Sequence, residues 1–246
     1  MNLEEIFENE RFDTSNSNVM TYRTKIIKSG PFQELEIYPV FKRGYARGKK
    51  QKVTKFFQAC VNENNSVKKL ARLLNNNFDE NSVWYDFTYS EKPTIEEATK
   101  NIQNFIRRLK RRFGSFKFIY TTEQGETNSQ RGHHHLICDI DKKYRNDVEA
   151  MWTKGERVRS RTLVADEFGF KGVATYFAKK SKGVFRKYTC SKNLVKPEEK
   201  TRDGVVGKRA IDSIIRNYEI GIEKLEKLKS LKDYKVLKMV SKVSEY

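Results

Sequence analysis

Several things are scarce in this chain, and each shortage narrows what it can be. Only three cysteines occur in 246 residues, Cys60, Cys138 and Cys190, without CxxC spacing, so they read as reduced packing residues. Histidine is as rare, and its three copies stand side by side as His133, His134 and His135. No apolar run reaches the roughly 20 residues that a membrane-spanning helix needs. The N-terminal MNLEEIFENE is acidic where a signal peptide would be basic, and a cytoplasmic protein is therefore expected. No GxxxxGK[ST] loop is present, and GVVGKR at 204–209 has the wrong spacing, which argues against a helicase domain. Acidic residues are outnumbered: 32 Asp and Glu against 50 Lys and Arg leave a formal charge of +18. Such a surplus calls for a polyanion. Nucleic acid is preferred over an anionic membrane, because the basic residues interleave with strands and a globular helix and form no terminal amphipathic arm. The length allows one sizeable core with appendages.

What the chain does have is concentrated in QRGHHHLICDI, residues 130–140. The apolar, β-prone residues that follow the histidines make this an extended segment, and its internal position excludes an expression tag. On a strand His133 and His135 share one face and His134 takes the other. Two imidazoles about 7 Å apart on one strand face can chelate a divalent ion. FKFIYTTEQ, just upstream, is a second strand that contains Glu123. Antiparallel pairing through the polar connection Gly125 to Arg131 brings Glu123 level with the histidines. One carboxylate and two imidazoles cover half an octahedron and leave room for water or a phosphate oxygen, which suits Mg²⁺ or Mn²⁺ used as a Lewis acid.

A second constellation lies in GFKGVATYFAKKSKG, where Val173, Tyr176, Phe177 and Lys180 fall at helical offsets. Tyr176 and Lys179 then lie on one side of a helix, within about 6 Å. A phenol is a poor nucleophile in water; a nearby cation and a polarised electrophile are what it needs.

Around these motifs, Tyr22–Ile27 and Phe32–Val40 flank the turn Ser29-Gly30-Pro31 and read as a β-hairpin. Residues 1–18 are expected to be poorly ordered or a pendant helix, and a cationic stretch runs from Lys42 to Lys52. Lys52–Asn76 reads as a helix that NENNS at 62–66 interrupts. Val83–Tyr89 is the first core strand. Thr94 and Glu97 form a capping box for a helix with Ile95, Ala98, Ile102, Phe105, Ile106, Leu109 and Phe113 on one face, and Gly114 ends it. Its other face carries Arg107, Arg108, Lys110, Arg111 and Arg112, either solvated or set against a DNA backbone. Lys180, Arg186 and Lys187 are further candidates for DNA contact. A helix near Lys143–Trp152 and a strand at Val158–Val164 precede the Tyr176 helix, the strand with Arg157, Arg159 and Arg161 on one face. Strand, helix, strand, strand, helix, strand, helix describes an α+β fold: a central antiparallel sheet with flanking helices. Beyond Pro197 the charge density rises; Ile211–Leu231 has a helical pattern, and Tyr234–Val243 reads equally as helix or strand.

A histidine pair followed by a helix with YxxK, in that order, resembles the HUH-type rolling-circle replication initiators (Rep endonucleases) of small plasmids and single-stranded DNA phages. WYDFTYSEKPT at 84–94 is similar to their first conserved strand, Glu123 stands where their acidic metal ligand lies, and RKYTCSKNLVKP resembles the segment that closes the nuclease domain in versions from Gram-positive bacteria. The resemblance spans roughly residues 20–200. It departs at Asp86 and Phe87, where a less polar pair is usual, and at His134, where a bulky apolar residue is usual; the pair is therefore His133 with His135 or one that includes His134. The resemblance implies an N-terminal hairpin and helix extension (1–80), an endonuclease core (81–196) and a basic, largely helical C-terminal region (197–246). It further implies that Glu123, His133 and His135 hold Mn²⁺ or Mg²⁺, that Tyr176 attacks a phosphate of single-stranded DNA at an origin hairpin, and that Lys179 offsets the charge. A 5′-phosphotyrosine bond and a 3′-hydroxyl primer would result, in the cytoplasm of a bacterial host that supplies helicase and polymerase. Tyr188 is the second choice of nucleophile. The rivals are an HUH transposase or relaxase, and a basic protein that binds DNA without cutting it.

Overall fold

The computed structural model describes residues 19–41, 56–123, 132–155, 157–180, 188–216 and 223. The acidic N-terminal segment, the cationic stretch 42–52, the connection 125–131, Arg186, Lys187, most of the 211–231 helical pattern and segment 234–243 lie outside the described residues, as do the side chains of Lys179 and Lys180. The elements are β1 (Val19–Ser29), β2 (Phe32–Phe41), α1 (Phe56–Asn77), β3 (Val83–Thr88), α2 (Ile95–Phe113), β4 (Phe118–Glu123), β5 (His133–Cys138), α3 (Arg145–Ala150), β6 (Val158–Thr162), α4 (Lys171–Lys180), β7 (Thr189–Cys190), β8 (Glu198–Asp203) and α5 (Lys208–Arg216), with a 3-10 turn at Lys142–Tyr144. The fold is α+β, with two sheets, and the chain divides into two compact units.

The larger unit lies within Ser29–Phe32 and Lys52–Pro197 and holds a five-stranded antiparallel sheet in the order β6-β3-β5-β4-β7. Period-2 alternation gives this sheet two different faces. One face presents Tyr85, Phe87, Leu136, Phe118 and Tyr120 to Ala98, Ile102, Phe105 and Leu109 of α2. α2 starts where expected. The Thr94 side chain accepts from the Glu97 amide while the Glu97 carboxylate accepts from the Thr94 amide, an arrangement that stabilises by about 1 kcal/mol. Gly114, at φ 78°, ends the helix in a backbone region that disfavours other residues.

On the other face Trp84, Ile119 and Ile137 pack against Leu70 and Leu74 of α1 and Ala174 and Phe177 of α4. α1 runs unbroken through NENNS, contrary to expectation, because those residues lie outside the apolar cluster and its packing begins at Val67. Further along this face, pairing sets Asp86 opposite His135 and Thr88 opposite His133 from β3, and Thr121 opposite His135 and Glu123 opposite His133 from β4. The loop after α3 closes on the end of β3: Trp152 Nε1 donates to the Thr88 carbonyl at 2.9 Å. A Cβ on Gly155 would come within 2.1 Å of that same oxygen, so only glycine allows the approach.

The smaller unit, within Met1–Lys28, Gln33–Gln51 and Glu198–Tyr246, holds a sheet in the order β2-β1-β8. The expected hairpin is present. β8 was not expected, since EEKTRD has no apolar residue and is exposed throughout. It pairs with β1 from Lys28↔Glu198 to Arg23↔Asp203, and ion pairs Arg23–Asp203 and Lys25–Glu199, each 2.7 Å, bridge the two strands.

Candidate metal centre

Register alone gathers Glu123, His133 and His135. All three lie on one face, on adjacent strands and at matching heights. His133 Nε2 is 2.7 Å and His135 Nε2 3.6 Å from the same Glu123 oxygen, and one ligand atom from each residue falls within 4.8 Å of the others. Neighbouring ligands of an octahedral ion with bonds of about 2.1 Å stand roughly 3 Å apart, so the spacing is that of a chelating group. Burial alone would raise the Glu123 pKa; hydrogen bonds with His133 and His135 outweigh it and hold the carboxyl at about 2. The carboxylate is therefore ionised and ready to bind a cation.

His135 is the most constrained of the three. Its Nδ1 bonds to Asp86, whose other contact at the same oxygen is Trp84 Nε1 at 2.6 Å. A carboxylate accepts, so Nδ1 carries the proton and the Nε2 lone pair faces Glu123, the orientation a metal-binding histidine requires. Burial lowers the His135 pKa, yet the bonds to Asp86 and Glu123 more than offset it and leave the imidazole above its usual value. Burial likewise raises the Asp86 pKa, and the bonds to His135 and Trp84 bring it below the usual carboxylate range. Donor chemistry, tautomer and spacing all fit Mg²⁺ or Mn²⁺. Asp86 was expected only as an oddity of the first strand; its part in the site follows from the β3–β5 register.

His134 points through the sheet to the α2 face and is fully buried. Its Nε2 meets the Tyr89 hydroxyl at 2.7 Å and its Nδ1 the Thr122 hydroxyl at 2.9 Å. Burial, helped by the flanking histidines, holds its pKa down at about 3, so the ring is neutral, with one donor and one acceptor that two hydroxyls can complement. The pair on the Glu123 face is thus His133 with His135.

α4 brings Tyr176 to this group. Its ring packs edge-on against Trp84 and His135, with centroids 5.3 and 5.2 Å away, and its hydroxyl lies 3.4 Å from His135 Nε2. Tyr188 is half-buried, packs against the α1–α4 cluster, and has its pKa raised by that burial. Among the described contacts it is Tyr176 that reaches the histidines. Arg107 and Arg111 are exposed on α2, which covers the face opposite to His133 and His135. Arg108 turns inward and donates to the Met151 carbonyl at 2.9 Å.

Residues 82–181 match a family of replication-associated proteins, the one described by its ORF2 members. Comparison with curated proteins and with solved structures gave no match. The family match supports a replication initiator that acts on DNA, and the matched stretch contains the Glu123–His133–His135 group and Tyr176. Among the described residues no helix is long and apolar enough to cross a membrane.

Proposed function

We propose, with the match to replication-associated proteins as premise, that this chain is a site-specific single-stranded DNA endonuclease and strand transferase of the HUH type that initiates rolling-circle replication. The observation that carries this reading is the Tyr176 hydroxyl, 3.4 Å from the nitrogen of His135 that faces Glu123. A phosphodiester held at Glu123, His133 and His135 would lie beside that phenol. Bound Mn²⁺ or Mg²⁺ would supply Lewis-acid charge to a non-bridging phosphate oxygen.

The chain's own residues do the rest. Asp86 fixes the His135 tautomer, and packing on Trp84 fixes the Tyr176 ring, so the nucleophile waits in one orientation. Tyr176 Oη forms a bond to phosphorus, the bond from phosphorus to the 3′ oxygen breaks, the phenol proton passes to water and the leaving oxygen takes one up. Lys179, three residues along α4, offsets charge on the phosphate. The product is a 5′-phosphotyrosine and a 3′-hydroxyl for a host polymerase, with a host helicase opening the duplex. Attack by a 3′-hydroxyl on the phosphotyrosine rejoins the strand, and the retained bond energy removes any need for a nucleotide cofactor.

The test is a denaturing gel of the protein with labelled single-stranded origin DNA and Mn²⁺. Wild type should give a covalent adduct, Tyr176→Phe should give none while still binding DNA, and His135→Ala should lose metal-dependent cleavage. An adduct that survives in Tyr176→Phe moves the nucleophile to Tyr188. No adduct from wild type leaves a non-catalytic DNA-binding protein.

A further inference from the structure

β6 is an edge strand, and its pairing with β3 sets Arg161 opposite Trp84 and Arg159 opposite Asp86. Directly paired residues project from the same face of a sheet, so both arginines share the face of His133 and His135. Arg157 continues the alternation: its carbonyl accepts from the Thr88 hydroxyl at 2.6 Å and the Thr88 amide at 3.3 Å. Between them, Ser160 and Thr162 turn to the opposite face, where Ser160 bonds to Glu149 and Thr162 accepts from Arg145.

The three guanidinium groups are available. Arg157 and Arg159 are exposed, and among the described residues no acidic side chain pairs with either. Arg161 is 57% exposed and lies with its guanidinium 4.0 Å from the Trp84 ring centroid. Its nearest carboxylate oxygen, on Asp86, is 4.0 Å away, beyond hydrogen-bond range. Ring and carboxylate therefore set the position of Arg161 beside the site and leave its donors unspent. Same-face neighbours on a strand are about 7 Å apart, comparable to consecutive phosphates of an extended polynucleotide. Three like charges in a row on an edge strand repel one another; a bound polyanion turns that repulsion into attraction.

We infer that Arg157, Arg159 and Arg161 form the phosphate track along which a single DNA strand passes beside Asp86 and His135 to the metal centre. This rests on the nuclease reading in taking DNA as the polyanion at that centre. Guanidinium contacts to phosphate carry no sequence information, so the track sets the path and polarity of the strand and leaves origin choice to other residues. It also differs from the α2 arginines, which stand on the other side of the sheet.

The experiment measures binding of the full chain to a fluorescent oligothymidylate over a series of salt concentrations, in EDTA so that cleavage plays no part. Each phosphate contact on a single strand contributes about 0.7 to the slope of log affinity against log salt. Arg157→Gln combined with Arg159→Gln should lower the slope by about 1.4, while the paired change of both to Lys, which keeps the charges, should restore the wild-type slope. A Gln variant with the wild-type slope overturns the track, even where the wild-type adduct forms and the nuclease reading stands. A lowered slope restored by Lys supports the track, and it does so even where wild type forms no adduct and the nuclease reading fails.

Discussion

An imidazole can face a metal with only one nitrogen at a time, and at His135 the choice is made by Asp86. The carboxylate takes the Nδ1 proton, and Nε2 is left toward Glu123 and Tyr176. Loss of such a partner typically weakens metal binding about 10–100-fold. Asp86→Ala is expected to raise the Mn²⁺ dissociation constant by that factor in a titration followed by electron paramagnetic resonance. Unchanged affinity would show that His135 needs no help. Glu123, His133 and His135 were legible in the sequence because two strands close in the chain needed only alternation and a hairpin to bring them level. Asp86 was not. Its strand lies some fifty residues upstream, and nothing local in WYDFTYS states which strand it will pair with. The same holds for Arg161, whose neighbours Trp84 and Asp86 are set by the β3–β6 register.

Elements were readable in proportion to how far their own residues specify them. α2 carries its start signal, its apolar stripe and its stop within one segment, and it forms as expected. Two substitutions separate local from tertiary contributions to its stability. Thr94→Ala removes the cap and should cost about 1 kcal/mol, whereas Phe105→Ala empties a fully buried position against Phe87 and Trp152 and should cost about 3–5 kcal/mol. Urea denaturation distinguishes them; equal losses would mean that α2 is held by its cap as much as by the core. β8 shows the opposite case. Its six residues are polar and exposed, and the strand exists because β1 offers an edge and oppositely charged side chains across from it. No periodicity of its own announces it. α1 was underestimated for a related reason, since a polar run on a solvent-facing stretch of helix looks like a break when its packed face is unknown.

At the scale of the whole chain, a formal charge of +18 named the class of partner from composition alone, but it could not say where that partner lies. The sheet does. One of its faces is closed by α2, while the other carries the Glu123–His133–His135 group, with the exposed β6 arginines alongside. That division makes the ion the point on which the rest depends. The most direct measurement is anomalous diffraction from crystals grown with Mn²⁺. The expected result is a peak bonded to Glu123, His133 and His135, with the Tyr176 hydroxyl beside it. A peak at other residues, or none at saturating Mn²⁺, would contradict the account.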